Sequence, residues 1–196
     1  MTDNNKRRNW TREETILAFD LYCKTPFSKI SKTNKEIVAL AELLGRTPGS
    51  VGLKMSNLAH FDPSLRSRNI LGMSHSSKLD EEIWKEFEAN WEELSYQAQR
   101  IFAKKKQMSI EEVIHFSDME FMPKGEDRER MMKARVGQYF FRMSVLNAYD
   151  NCCCITGLRR AELLVASHIK PWKVSDIKTE RTNPANGLCL NALHDK

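Results

Sequence analysis

The stretch LLVASHIKPWKVSDIKTERTNPANGLCLNALHD, residues 163–195, is where the chain stops reading as helix. Two short apolar runs, LLVASHI and GLCL, are β-compatible and bounded by Pro, Asn and Gly, which predicts a pair of short strands. CCCIT (152–156) is a third β-compatible piece. His168 falls at the end of the first run, Asn186 opens NGLCL, and His194 follows eight residues later, where a helix is expected to begin. Up to about Asn151 the ordered segments carry helical periodicity. The expected class is therefore α+β, mostly helical, with a small C-terminal ββα unit.

Composition sets the outer limits. The chain has 196 residues and a net charge of +5, with 41% hydrophobic and 9% aromatic residues, enough apolar material for a core. No run approaches the ~18 consecutive apolar residues of a membrane span. The opening MTDNNKRRNW lacks the apolar stretch of a secretory signal. Five cysteines, three adjacent at 152–154, argue against a disulfide scaffold and for a cytoplasmic setting. Charge is uneven: residues 1–60 carry +4, 61–120 carry −4 and 121–196 carry +5. Two basic segments thus flank an acidic middle, and each suits a polyanion.

Helix signals divide the first part. Thr11 and Glu14 have capping-box spacing, as do Thr33 and Glu36. Ile37, Leu40, Ala41 and Leu44 form one apolar face, and Gly45 is placed to end that helix. Thr47 and Pro48 open a third helix with Val51, Met55 and Leu58 as its buried stripe. Residues 64–77 read as loop. Ile83, Trp84, Phe87, Trp91 and Leu94 predict an amphipathic helix reaching toward Lys104–Lys106. Ser109 and Glu112 start a short one, MPKGE (122–126) reads as a linker, and a long helix is expected from about Arg128. The expected organisation is a front end at 1–62, a helical middle at 63–127 and a C-terminal module at 128–196.

Three short helices with a polar outer face on the third are the layout of a helix-turn-helix module. Ser50, Lys54 and Asn57 are expected on that face, with Arg46 just before it to hold a phosphate. The stretch NWTREE…LAELLGRTPGSVGLKMSNL also resembles Myb/SANT-like helix-turn-helix domains, which implies double-stranded DNA as partner. The plainer reading is an ordinary three-helix bundle. GRTPGSVGLK is not a phosphate loop, because no Gly-Lys-Ser/Thr follows the glycines.

His168, Asn186 and His194 suit metal-assisted phosphodiester hydrolysis. One imidazole takes a proton from water, an amide orients that ring, and the other imidazole holds a divalent ion. With the flanking RVGQYFFR…VLNAYDNCCCITGL, LLVASHIKPW, RTNPANGLCL and LHD, the segment resembles the HNH endonuclease family, in its bacterial restriction and defence branch. The resemblance implies His168 as general base, Asn186 as its orienting partner and His194 as a metal ligand. It also implies one divalent ion, magnesium or similar. Where many members carry a metal-binding Asp before the first His, this chain has Ser167. No structural zinc is expected, since neither Cys153 nor Cys189 has a Cys partner at zinc-knuckle spacing; a mixed set of Cys153, His168, Cys189 and His194 is the alternative. The chain ends at Lys196, so the His194 helix is expected to be truncated and frayed. His60, His75 and His115 are read as loop or surface residues, and Trp84 and Trp91 as core. The rival reading is a non-catalytic DNA-binding regulator with a degenerate HNH module. A homodimer stays open.

Overall fold

The computed structural model describes residues 8–70, 76–114 and 125–195. His75, His115 and most of the MPKGE segment lie outside them. The architecture is α+β, a helical body carrying one two-stranded hairpin near the C-terminus.

Local signals set the first three helices. Helix α1 (Arg12–Lys24) starts with the expected Thr11–Glu14 capping box. Helix α2 (Lys35–Leu44) is capped one residue later than the spacing suggests: Asn34, not Thr33, accepts the N–H groups of Glu36 and Ile37. An Asn carboxamide reaches both free donors, satisfying two groups that Thr33 leaves unpaired. Gly45 ends α2 at φ +60°, a left-handed conformation that costs glycine nothing. Helix α3 (Pro48–Leu58) has Thr47 as its cap and Val51, Met55 and Leu58 buried.

Segment 64–77 is not all loop, because Asp62 caps a short helix α4 (Pro63–Ser67). The apolar stripe expected to run through Trp84 and Trp91 as one helix is two: α5 (Lys78–Phe87) and α6 (Trp91–Lys106). The break at Glu88–Asn90 turns the chain so that Trp84 and Trp91 meet edge to face, 6.3 Å apart. Ser109 caps the brief α7 (Ile110–Val113) with a full capping box.

Helix α8 (Glu126–Ala148) is the spine. Adjacent residues point about 100° apart on a helix, and α8 uses this to face two cores. Phe140 stacks on Trp91 and joins the large core of α1 to α6, while Phe141 joins a small core with Val145, Leu146, Cys153, Leu164 and Cys189. That small core is the underside of the hairpin. Strand β1 (Leu164–His168) pairs antiparallel with β2 (Gly187–Asn191), placing His168 opposite Gly187 and Leu164 opposite Asn191. CCCIT forms a turn instead of a strand, held by Cys153 N–H to Leu158 O and Gly157 N–H to Cys153 O. Among the described residues no helix is long and apolar enough to cross a membrane.

Candidate active site

The hairpin brings His168 against α8. Its imidazole lies face to face with Phe141, centroids 3.8 Å apart and planes at 12°, and meets Trp172 edge-on at 5.4 Å. Gly187 makes this approach feasible. A Cβ there would come within 2.3 Å of Val145 Cγ2 and 2.9 Å of Phe141 Cζ, so only glycine lets the strand end settle on α8. Gln138, Phe141, Arg142, Val165, Ala166, His168 and Trp172 line an open cleft of about 360 Å³.

Hydrogen bonding fixes the ring's chemistry. His168 Nε2 sits 2.9 Å from the Arg181 carbonyl oxygen. A carbonyl only accepts, so Nε2 carries the hydrogen and the lone pair is on Nδ1. A neutral imidazole held this way is equipped to take a proton. The orienting group is thus a backbone carbonyl, invisible as a side-chain pattern.

Asn186 does something other than orient His168. Its Oδ1 accepts Lys170 N–H at 2.8 Å, and its Nδ2 faces Lys170 O, Ser175 Oγ and Glu180 O at 3.3–3.4 Å. It therefore clamps both ends of the connection between the strands. That connection is further braced: Ser175 Oγ donates toward Lys170 O and Pro171 O, and Asp176 Oδ1 accepts from Lys178 N, Thr179 N and Thr179 Oγ1. The Thr179 N–H holds the Asp176 carboxyl below its ordinary range, and Lys170 does the same for Glu180.

His194 is placed at the other end of the hairpin. Asn191 Oδ1 accepts Leu193 N–H at 3.0 Å, and His194 Nδ1 lies 2.8 Å from the same oxygen. Nδ1 is therefore the protonated nitrogen and Nε2 carries the free lone pair, the arrangement of an imidazole readied for a metal. Residues 192–195 make a turn where the helix was expected. Asn191 also donates from its backbone to Cys153 Sγ at 3.2 Å and from Nδ2 to Thr156 Oγ1 at 3.2 Å. Hydrogen bonding from Thr156, with help from the Ile155 and Asn191 N–H groups, lowers the Cys153 thiol to about 7; burial pushes Cys189 up to about 11.

The two histidines belong to opposite ends of the hairpin. His168 pairs with Gly187, and His194 follows Asn191, which pairs with Leu164. Four register steps of about 3.4 Å put roughly 14 Å of strand between these ends. Among the described residues no group of three or more His, Cys, Asp or Glu is arranged to hold a metal, the mixed cysteine–histidine set included. The residues described thus fit a single oriented ligand, His194, and not a complete metal centre.

The front-end cations are likewise committed elsewhere. The Arg46 side chain is only 7% exposed, donating to Glu14 Oε2 at 2.7 Å and to the carbonyls of Arg8 and Asn9, with its guanidinium 4.2 Å from the Trp10 ring. Lys54 is 4% exposed and paired with the fully buried Asp80, with Trp10 5.1 Å away. Lys54 follows Val51 by three residues, so it shares the inward stripe of α3 and faces the bundle. Neither is free for a phosphate. Ser50 and Asn57 remain partly exposed on α3.

With this geometry in place, the comparison with protein families has a clear location: residues 153–196 match the model of the HNH endonuclease family. The match covers the Cys153 turn, both strands, His168, Asn186 and His194. Comparisons with curated proteins and with solved structures return no match.

Proposed function

We propose that the 153–196 module hydrolyses phosphodiester bonds in double-stranded DNA, with His168 Nδ1 taking the proton of the attacking water. The observation that carries this is the tautomer: Nε2–H is held by the Arg181 carbonyl while the ring borders an open cleft. The HNH endonuclease match supports a nucleic-acid substrate. A divalent ion, when bound, would neutralise charge on the phosphate and the leaving oxygen; His194 Nε2 is the donor this chain orients for it. His168 holds and moves the proton, Asn186 keeps the strand connection in place, and Phe141 and Trp172 fix the plane of the ring. The setting in restriction or phage defence comes from the family resemblance.

The helical front end would bind the same DNA through cations other than the Arg46 and Lys54 first expected. Lys29, Lys32 and Lys35 are all exposed around the α1–α2 connection, and none forms an ion pair among the described residues. They suit phosphate contacts, with Ser50 and Asn57 as the partly exposed polar groups of α3. A second reading, a non-catalytic DNA-binding protein, is favoured by one observation, the strand's length between His168 and His194. Relaxation of supercoiled plasmid with magnesium or manganese separates the two: cleavage by the native chain and none by His168→Ala supports the nuclease, and equal metal-independent backgrounds support the regulator.

A further inference from the structure

The connection between the strands carries an unusual surface. Ile169, Val174 and Ile177 are 58%, 65% and 55% exposed, three large apolar side chains within nine residues. Apolar groups exposed together on one short loop suit a binding surface. The same loop carries Lys173 and Lys178, both exposed and without an ion pair among the described residues. Its two carboxylates stay at the surface but are taken up by partners within the loop. Asp176 caps the loop's own N–H groups, and Glu180 accepts from Lys170 Nζ and Asp176 N. What this surface offers without a partner in the loop is apolar and cationic.

The loop is also pre-shaped. Asn186 and Ser175 tie Lys170, Pro171 and Glu180 together, and the Arg181 carbonyl at its far end holds His168. Little conformational freedom is left to lose on binding. The short helical turn Trp172–Val174 raises Val174 beside Trp172, which borders the His168 cleft.

The geometry points to a base-step wedge: Val174 and Ile177 insert between stacked bases of duplex DNA while Lys173 and Lys178 take the flanking phosphates. This inference rests on the nuclease reading and adds a mode of engagement to it. Apolar side chains pushed between base steps unstack and bend a duplex, presenting its backbone to a neighbouring site. An anionic lipid surface would also accept an apolar and basic loop. DNA is favoured because the loop adjoins His168 and both of its ends are anchored to that site.

The test uses the full chain and a duplex carrying 2-aminopurine, with calcium in place of a cleavage-supporting ion. The native protein should brighten the probe on binding. Val174→Ala with Ile177→Ala should lose that brightening and at least about tenfold in affinity, as expected when five buried carbon groups are removed, with an unchanged melting temperature. Lys173→Glu with Lys178→Glu should instead flatten the salt dependence by about two phosphate contacts, a change of roughly 1.8 in slope, and keep the brightening at low salt. The wedge is overturned if the apolar double variant brightens the probe as the native chain does. It is also overturned if phosphatidylserine vesicles outcompete duplex for the native chain. A native chain that cleaves plasmid while the apolar variant matches it removes the wedge alone; a native chain that binds no duplex removes the nuclease reading with it.

Discussion

The imidazole of His168 lies flat on the phenyl ring of Phe141, 3.8 Å between centroids and 12° between planes. One residue earlier, Phe140 stacks on Trp91 in the other core. The candidate base is therefore built onto the same helix turn that anchors the helical body. Phe141→Ala should cost about 3–5 kcal/mol of stability, typical for a buried aromatic. Phe141→Leu should recover most of that and still lower cleavage, because the ring loses its flat support. Urea unfolding and plasmid relaxation on both variants check this; full activity in the leucine variant would contradict it.

Gly187→Ala should be more damaging than a methyl group suggests. The added Cβ meets Val145 and Phe141 well inside contact distance. An overpacked core of this kind costs about 1–3 kcal/mol. The hairpin should also lift from α8, visible as a lost upfield ring shift of the His168 protons in NMR spectra. A variant as stable as the native chain, with its ring shifts intact, would refute the packing account.

Asn186→Ala should leave the His168 tautomer unchanged, since the Arg181 carbonyl and not Asn186 holds the ring. It should destabilise by about 1–3 kcal/mol through the unsatisfied Lys170 and Glu180 groups. It should also speed proteolysis within residues 170–180. Long-range proton–nitrogen correlation spectra report the tautomer, and a switch to Nδ1–H would show that Asn186 orients the ring after all.

Stability should depend on the Cys153 thiol. Its folded pKa, about 7, lies below the ordinary thiol value of ~8.5. The thiolate is thus favoured in the folded state, so this contribution is present above the unfolded pKa and lost as pH falls through about 7. Cys189, raised to about 11, acts oppositely: its contribution is lost as pH rises from ~8.5 toward 11. Melting temperature should therefore climb from pH 7 to about 8.5 and fall beyond it, and Cys153→Ala should abolish the climb. A flat profile in the native chain would contradict it.

Removing one partner of the buried Lys54–Asp80 pair should be costly. Asp80→Ala leaves an ammonium buried beside Trp10 and should destabilise by about 3–5 kcal/mol, while Lys54→Met with Asp80→Leu should recover much of it. Duplex affinity of the refolded double variant should match the native chain, because Lys54 meets no phosphate. A selective loss of DNA binding would restore Lys54 to the interface.

Much of the fold is written locally. Ile37, Leu40, Ala41 and Leu44 and the caps at Thr11, Thr47 and Ser109 behave as their spacing predicts, because each depends on neighbours within a few residues, and the β-compatible runs LLVASHI and GLCL supply the two strands. What was not legible depends on distant partners. Arg46 and Lys54 look like surface cations until Glu14 and Asp80 meet them from 32 and 26 residues away. Asn186 looks like an orienting amide until the loop backbone occupies it. The Arg181 carbonyl could not be found from side-chain types at all, since every residue but its geometry offers the same group.

Chemical rescue tests the central claim most directly. His168→Gly leaves a space on Phe141 that free imidazole fits. The account predicts that this variant is inactive on supercoiled plasmid and regains cleavage in proportion to the unprotonated imidazole added. Native-like cleavage by His168→Gly without imidazole would show that the proton is taken elsewhere.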